Sequence, residues 1–193
     1  MASDDPGVRL QPDASRYTWG HFIEDVAARH GDATVMRFEG RDISASALLR
    51  DTRELARALA ASGVAKGMRV ALHMANRPEF AVASFAIAML GAVLVPVNTF
   101  ATQQEREYIL RHSDSAMLLF QRRLLKHDFL QELLEMFPGL ASPGALRDAR
   151  APHLRGAVAL GLEQGQGGVL AWQDLLRRSG EITDELLDAM IDE

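Results

Sequence analysis

From residue 68 onward, short β-branched or apolar runs alternate with stretches whose apolar residues return every three or four positions. That alternation is the pattern of a parallel sheet wrapped by helices. Strands are expected at Arg69 to Met74, Ala92 to Val97, Ala116 to Phe120 and Ala157 to Leu160. Between the first two, Asn76 as cap, Pro78 in the first turn and Glu79 three residues after the cap predict a helix start. Thr102 and Glu105 repeat the capping-box spacing between the next two, with Arg111 and His112 where the helix dipole favours positive charge. The right-handed crossover rule then places successive strands side by side.

Upstream, Thr18 can cap a helix through His30 with Gly31 as its stop, and Phe22, Ile23, Val26 and Ala27 fall at helical spacing. Glu39 and Gly40 separate Val35 to Phe38 from Arg41 to Ile43, a small β-hairpin at the edge of the domain. Ser44 offers a cap to a helix over Ala45 to Ser62, with Leu48, Thr52, Leu55 and Leu59 on one face. Arg50, Arg53, Glu54 and Arg57 on the other face are expected to be solvated. Leu124 to Phe137, Trp172 to Arg178 and Thr183 to Asp192 read as further helices, and nothing after the last of them resembles a closing strand, so an unfinished sheet edge is expected, one that could pair with a partner chain. Residues 1–16 carry two prolines and little periodicity and are expected to form a loose arm ahead of a single α/β domain over 17–193.

Composition fits an ordered globular chain: 193 residues, 48% hydrophobic and 24% charged. A formal charge of -5 opposes nonspecific attraction to the phosphate backbone of nucleic acid or to anionic lipid. The absence of cysteine excludes disulfides and thiolate chemistry and fits a reducing cytoplasm, and the start MASDDPGVRL has acids where an export signal would be basic. Phe80 to Val97 runs 18 residues without a charge, a length that just meets a membrane span, yet Gly91 and Pro96 interrupt it and its character changes from FAIAML to AVLVPV. A buried helix followed by a buried strand explains it better.

Candidate chemistry is sparse. Gly161 to Gly168 (GLEQGQGG) follows a strand but lacks the Lys-Ser/Thr of a P-loop and does not fit GxGxxG, so it reads as a flexible surface turn. The six histidines show no ligand spacing and are expected mostly at exposed positions or helix ends, and no GxSxG elbow is present. Arg122, Arg123, Lys126 and His127 form a basic cluster expected to be solvated. Because ligands of open α/β sheets gather beyond the carboxyl ends of the strands, Asn98 and Thr99 are the residues nearest a ligand site. No catalytic residue, metal ligand or cofactor ligand is assigned.

The order of three segments carries more information than any single motif. The run R-D-I-S-A-S-A-L at 41–48, then G-V-A-K-G-M-R-V-A-L-H-M-A-N-R-P-E-F at 63–80, then M-L-G-A-V-L-V-P-V-N at 89–98 resembles the opening of the AMP-forming acyl-CoA synthetases of the adenylate-forming superfamily. The first run is similar to the family's TYxEL segment, with Ala47 where the family has Glu, and the third to its LKxGAxxVPxN segment; Phe100 stands where relatives often place proline or a basic residue. The resemblance implies a partial N-terminal domain of a carboxylic acid–CoA ligase, with fatty acid as the expected substrate class. ATP, magnesium and CoA are implied for a full-length relative and none for this chain alone. The family's Ser/Thr/Gly-rich phosphate loop ending in Pro-Lys-Gly and its C-terminal lysine have no counterpart within the 193 residues. Two alternatives stand beside this reading: a noncatalytic interaction module derived from such a ligase, and a stand-alone Rossmann-like nucleotide binder.

Overall fold

The computed structural model describes residues 18–144 and 146–192; the expected arm at 1–16 lies outside them. Thr18 caps α1 (Trp19–His30) by accepting a hydrogen bond from the amide of His21. The hairpin is β1 (Thr34–Phe38) and β2 (Arg41–Ser44), and Ser44 then caps α2 (Ala45–Ala61) through the amide of Ala47. The alternating units follow: β3 (Arg69–His73), α3 (Pro78–Met89), β4 (Val93–Pro96), α4 (Gln103–His112) and β5 (Met117–Gln121). Thr102 and Glu105 form the expected capping box of α4. The N-cap of α3 is Arg77, without a side-chain cap, rather than Asn76; Pro78 fixes the start instead.

After β5 the chain makes a tight two-residue hairpin, β6 (Arg123–Leu124) and β7 (His127–Asp128), before α5 (Phe129–Met136), which Asp128 caps through the amide of Gln131. The helix expected from Leu124 therefore begins five residues later, because an apolar pattern does not reveal a turn made by Leu125 at φ +53°. A 3-10 turn (Pro138–Ala141), β8 (Gly156–Leu160), β9 (Val169–Ala171), α6 (Trp172–Arg177) and α7 (Asp184–Asp192) complete the described chain.

Five parallel strands form the sheet in the order β4-β3-β5-β8-β9. Two expectations are corrected here. Successive strands are not all neighbours: β4 goes to one edge and β5 returns to the other side of β3. A fifth strand, β9, also lies beyond β8, on residues that carried no strand expectation. Both faces are covered, as a two-residue side-chain period predicts for a buried parallel sheet. Val70, Leu72, Leu119 and Val158 pack with α1, α2, α3, α6 and α7 on one face. Ala71, Leu118, Phe120, Ala157 and Ala159 pack with α5 and the Leu140 turn on the other.

The uncharged stretch at 80–97 is divided between α3 and β4, and among the described residues no helix is long and apolar enough to cross a membrane. The basic face of α2 is not simply solvated. Arg53 donates to Glu24 at 2.8 Å and to Asp188 at 2.6 Å, and Arg57 pairs with Asp184, so α7 is held across α1 and α2 by charge as well as by buried Leu187 and Ile191.

Candidate functional site

The exchange of β4 and β5 about β3 creates a topological switch point, where the two crossovers leave the sheet on opposite sides of one strand and open a crevice at its carboxyl end. His73 is the last residue of β3. It shares a sheet face with Ala71 and, on the neighbouring strand, lies opposite Phe120 in the register. That face is covered by α4 and α5, so His73 is 3% exposed, which contradicts the expectation of exposed or helix-end histidines.

Around His73 the site is assembled from four elements. The loop after β4 brings the main chain of Asn98 close to His73, where it favours the charged ring. Arg106, buried on α4, donates to the carbonyl of Ala101 at 2.7 Å and pairs with Glu132 of α5. His127 of the hairpin meets the same carboxylate at 2.8 Å through Nδ1. Phe129 lies among them, with its ring centroid 4.2 Å from that of His73 and 5.2 Å from the Arg106 guanidinium carbon. Behind them is a cavity of about 20 Å³ lined by Val97, Leu110, Leu118, Phe120, Leu133 and Met136, roughly the room one water molecule needs.

The electrostatics follow from burial. Desolvation, with the nearby Arg106 charge, pushes the His73 imidazole down to about 4 from the usual 6.5, against the smaller opposing pull of Glu132. His73 is thus neutral at physiological pH, and among the described residues its Nε2 has no hydrogen-bond partner. Arg106 and Glu132 satisfy each other, so neither presents free charge to a ligand.

Asn98 and Thr99 do lie in the loop at the carboxyl end of β4, as expected. Asn98 is exposed and its Oδ1 accepts from the amide of Phe100 at 2.9 Å; Thr99 is half-buried. The structure brings the main chain of Asn98 to the crevice. His73 and Arg106 were missed in the sequence. The VALHM run gives a signal for His73, since a polar side chain inside an apolar run needs a partner; Arg106 gives none, because it is one of several charged residues on a short helix and nothing local marks it as the buried one.

The glycine loop 161–168 is not a free turn. Gly168 donates to the carbonyl of Leu140 at 2.8 Å, Gln166 to that of Val169 at 2.8 Å, and Gly165 to the carboxylate of Asp174 at 3.1 Å. A loop that cradles phosphate must keep such amides unpaired, so these residues do not fit an ATP phosphate. Among the described residues no group of three or more His, Cys, Asp or Glu side chains is placed to hold a metal ion.

Comparison with known proteins bears on what such a switch-point domain belongs to. Residues 23–154, more than half the chain, match the family described as AMP-binding enzyme. The chain belongs to that family. A Bacillus subtilis (strain 168) protein, YngI, which bears an acyl-CoA synthetase name, is 30% identical over 175 residues, covering 89% of this chain and 32% of its own length. The crotonobetaine/carnitine–CoA ligase of Salmonella typhimurium is 35% identical over 101 residues, covering 50% of this chain and 20% of its own length. The chain thus spans a third or less of these curated relatives.

Among solved structures, the anthranilate CoA ligase AuaEII in complex with anthranoyl-AMP superposes with a TM-score of 0.69 at 26% identity, over 84% of this chain and 28% of that one. The Klebsiella oxytoca NpsA N-terminal subdomain superposes with a TM-score of 0.51 at 24% identity, over 53% of this chain and 27% of that one, a likeness of fold. The chain resembles the N-terminal part of AMP-binding CoA ligases, and the parallel sheet, flanking helices and small antiparallel hairpin are the corresponding architecture.

Proposed function

We propose that this chain is the N-terminal scaffold of an ATP-dependent, AMP-forming ligase that activates a carboxylic acid as an acyl-adenylate and passes the acyl group to CoA. The observation that carries the reading is the family match over residues 23–154 combined with a span of a third or less of the relatives. A fatty acid is the substrate class suggested by the sequence resemblance. The domain supplies a rigid sheet and the rim formed by Asn98, Thr99 and the loops beside them, while phosphate and magnesium are held by residues outside it.

By itself the chain is inactive. Charge developing on a transferred adenylyl group needs preorganised donors and a cation. Support comes from the glycine loop, whose amides are committed to Leu140, Val169 and Asp174, and from Arg106, whose charge is spent on Glu132.

Reading the coding sequence past residue 193 tests the assignment. An in-frame Gly/Ser/Thr-rich loop ending in Pro-Lys-Gly is the expected result. A stop codon in a gene expressed at this length would instead make the chain a noncatalytic module derived from such a ligase.

A further inference from the structure

The tip of the β6–β7 hairpin breaks two local rules at one residue. The loop is Leu125 and Lys126, and Leu125 has φ +53° while Lys126 does not have a positive φ. That is the pattern of a type II′ turn, whose first loop position favours glycine because a Cβ there is crowded. The side chain occupying this position is also 84% exposed, more than any other large apolar side chain among the described residues. Glycine would relieve the backbone and remove the exposed apolar surface. A leucine kept at both disadvantages is a sign of contact with something absent from the fold.

The surroundings indicate the chemistry of that contact. Residues 122–128 contain Arg122, Arg123 and Lys126 against one acid, Asp128, a local formal charge of +2 in a chain of -5. Asp128 lies 3.6 Å from Arg122 and 3.1 Å from Arg123, whose side chain is still 72% exposed; Lys126 stands at the tip beside Leu125. At the same end of the sheet, separated from β5 by β3 alone, the loop after β4 presents Phe100 at 82% exposure. The acids of this rim are partly occupied: Glu132 by Arg106 and His127, and Glu105 by the capping box with Thr102.

We propose that this rim meets an anionic lipid surface, with Leu125 entering the headgroup region and Arg123 and Lys126 facing the phosphates. A second copy of the chain is disfavoured because two like-charged tips repel. A protein partner is disfavoured because a convex two-residue tip buries far less than the roughly 800 Å² per side of a stable interface. A fluid bilayer needs no complementary groove, and basic residues beside an apolar insertion are the combination that binds it. Glu163, exposed on the neighbouring loop, opposes the attraction, so binding is weak and reversible.

The test is co-sedimentation of the whole chain with vesicles of phosphatidylglycerol and phosphatidylcholine, against vesicles of phosphatidylcholine alone. The expected result is several-fold greater retention on the anionic vesicles, falling as salt is raised. Leu125→Gly is expected to lose most of that retention without lowering the thermal midpoint, and Lys126→Glu to lose it at an unchanged midpoint. Equal retention on both vesicles, no retention, or wild-type retention by Leu125→Gly would overturn the proposal. A lowered midpoint for Leu125→Gly would overturn its premise of a strained turn. Binding to an acidic polypeptide without vesicle binding would replace lipid with an acidic protein partner.

Discussion

His73 ends the central run of the sheet with a ring that the fold holds neutral, and its effect on stability has a definite sign. The folded imidazole titrates at about 4 against 6.5 for the free side chain. Between those values the unfolded chain binds a proton that the folded chain refuses, so stability is fully present above pH 6.5 and is lost as pH falls toward 4. The shift corresponds to about 3 kcal/mol. Urea unfolding across pH 7 to 4 is expected to show that fall, and His73→Gln to flatten it; identical pH profiles for the two proteins would remove His73 as the cause. A second residue-scale prediction concerns Gly167, whose φ is +60° and where a Cβ would stand 2.6 Å from the carbonyl carbon and oxygen of Ala141. Main chain cannot yield as a flexible side chain does. Gly167→Ala is expected to cost more than about 2 kcal/mol in denaturant unfolding, whereas Gly180→Ala, where a Cβ meets nothing within 4 Å, is expected to be close to neutral.

Among the elements, α7 shows how apolar and charged contacts divide the work. Leu187 is fully buried and Ile191 nearly so, while Arg53 and Arg57 tie the exposed face of the helix to α2 through Asp184 and Asp188. Removing a buried leucine side chain costs about 3 kcal/mol, and a partly exposed ion-pair network about 1 kcal/mol, screened by salt. Leu187→Ala is therefore expected to loosen α7 at any ionic strength. Arg53→Ala should do so mainly at low salt, as read by amide hydrogen exchange of residues 184–192. The helix starts were legible because capping is local: Thr18, Ser44 and Thr102 each reach an amide three residues ahead. What was not legible is nonlocal or needs an unusual backbone angle. The hairpin before α5 depends on a positive φ at Leu125, and β9 is three residues long and held by pairing with β8, not by its own pattern.

At the scale of the whole molecule, strand order decides where function can sit. The sequence shows alternating strands and helices but not that β5 returns past β3, because pairing partners are chosen by packing across the sheet. The crevice beside His73 follows from that order; Asn98 and Thr99 were legible only as residues just past the carboxyl end of a strand, while the buried His73 and Arg106 and the half-buried Glu132 were not. Arg106 and Glu132 join α4 to α5 through a largely buried pair. Arg106→Ala, which strands the carboxylate, is expected to cost about 3 kcal/mol in urea unfolding, while the double replacement Arg106→Met with Glu132→Leu should cost much less. Family membership rests on the match to the AMP-binding enzyme family over residues 23–154.

The central claim, a ligase scaffold without its own phosphate site, is tested most directly by incubating the purified 193-residue chain with ATP, magnesium and a panel of carboxylic acids and measuring acyl-adenylate. The account predicts none above a control lacking protein. Acyl-adenylate formed in proportion to the chain, in preparations free of other ligases, would contradict it.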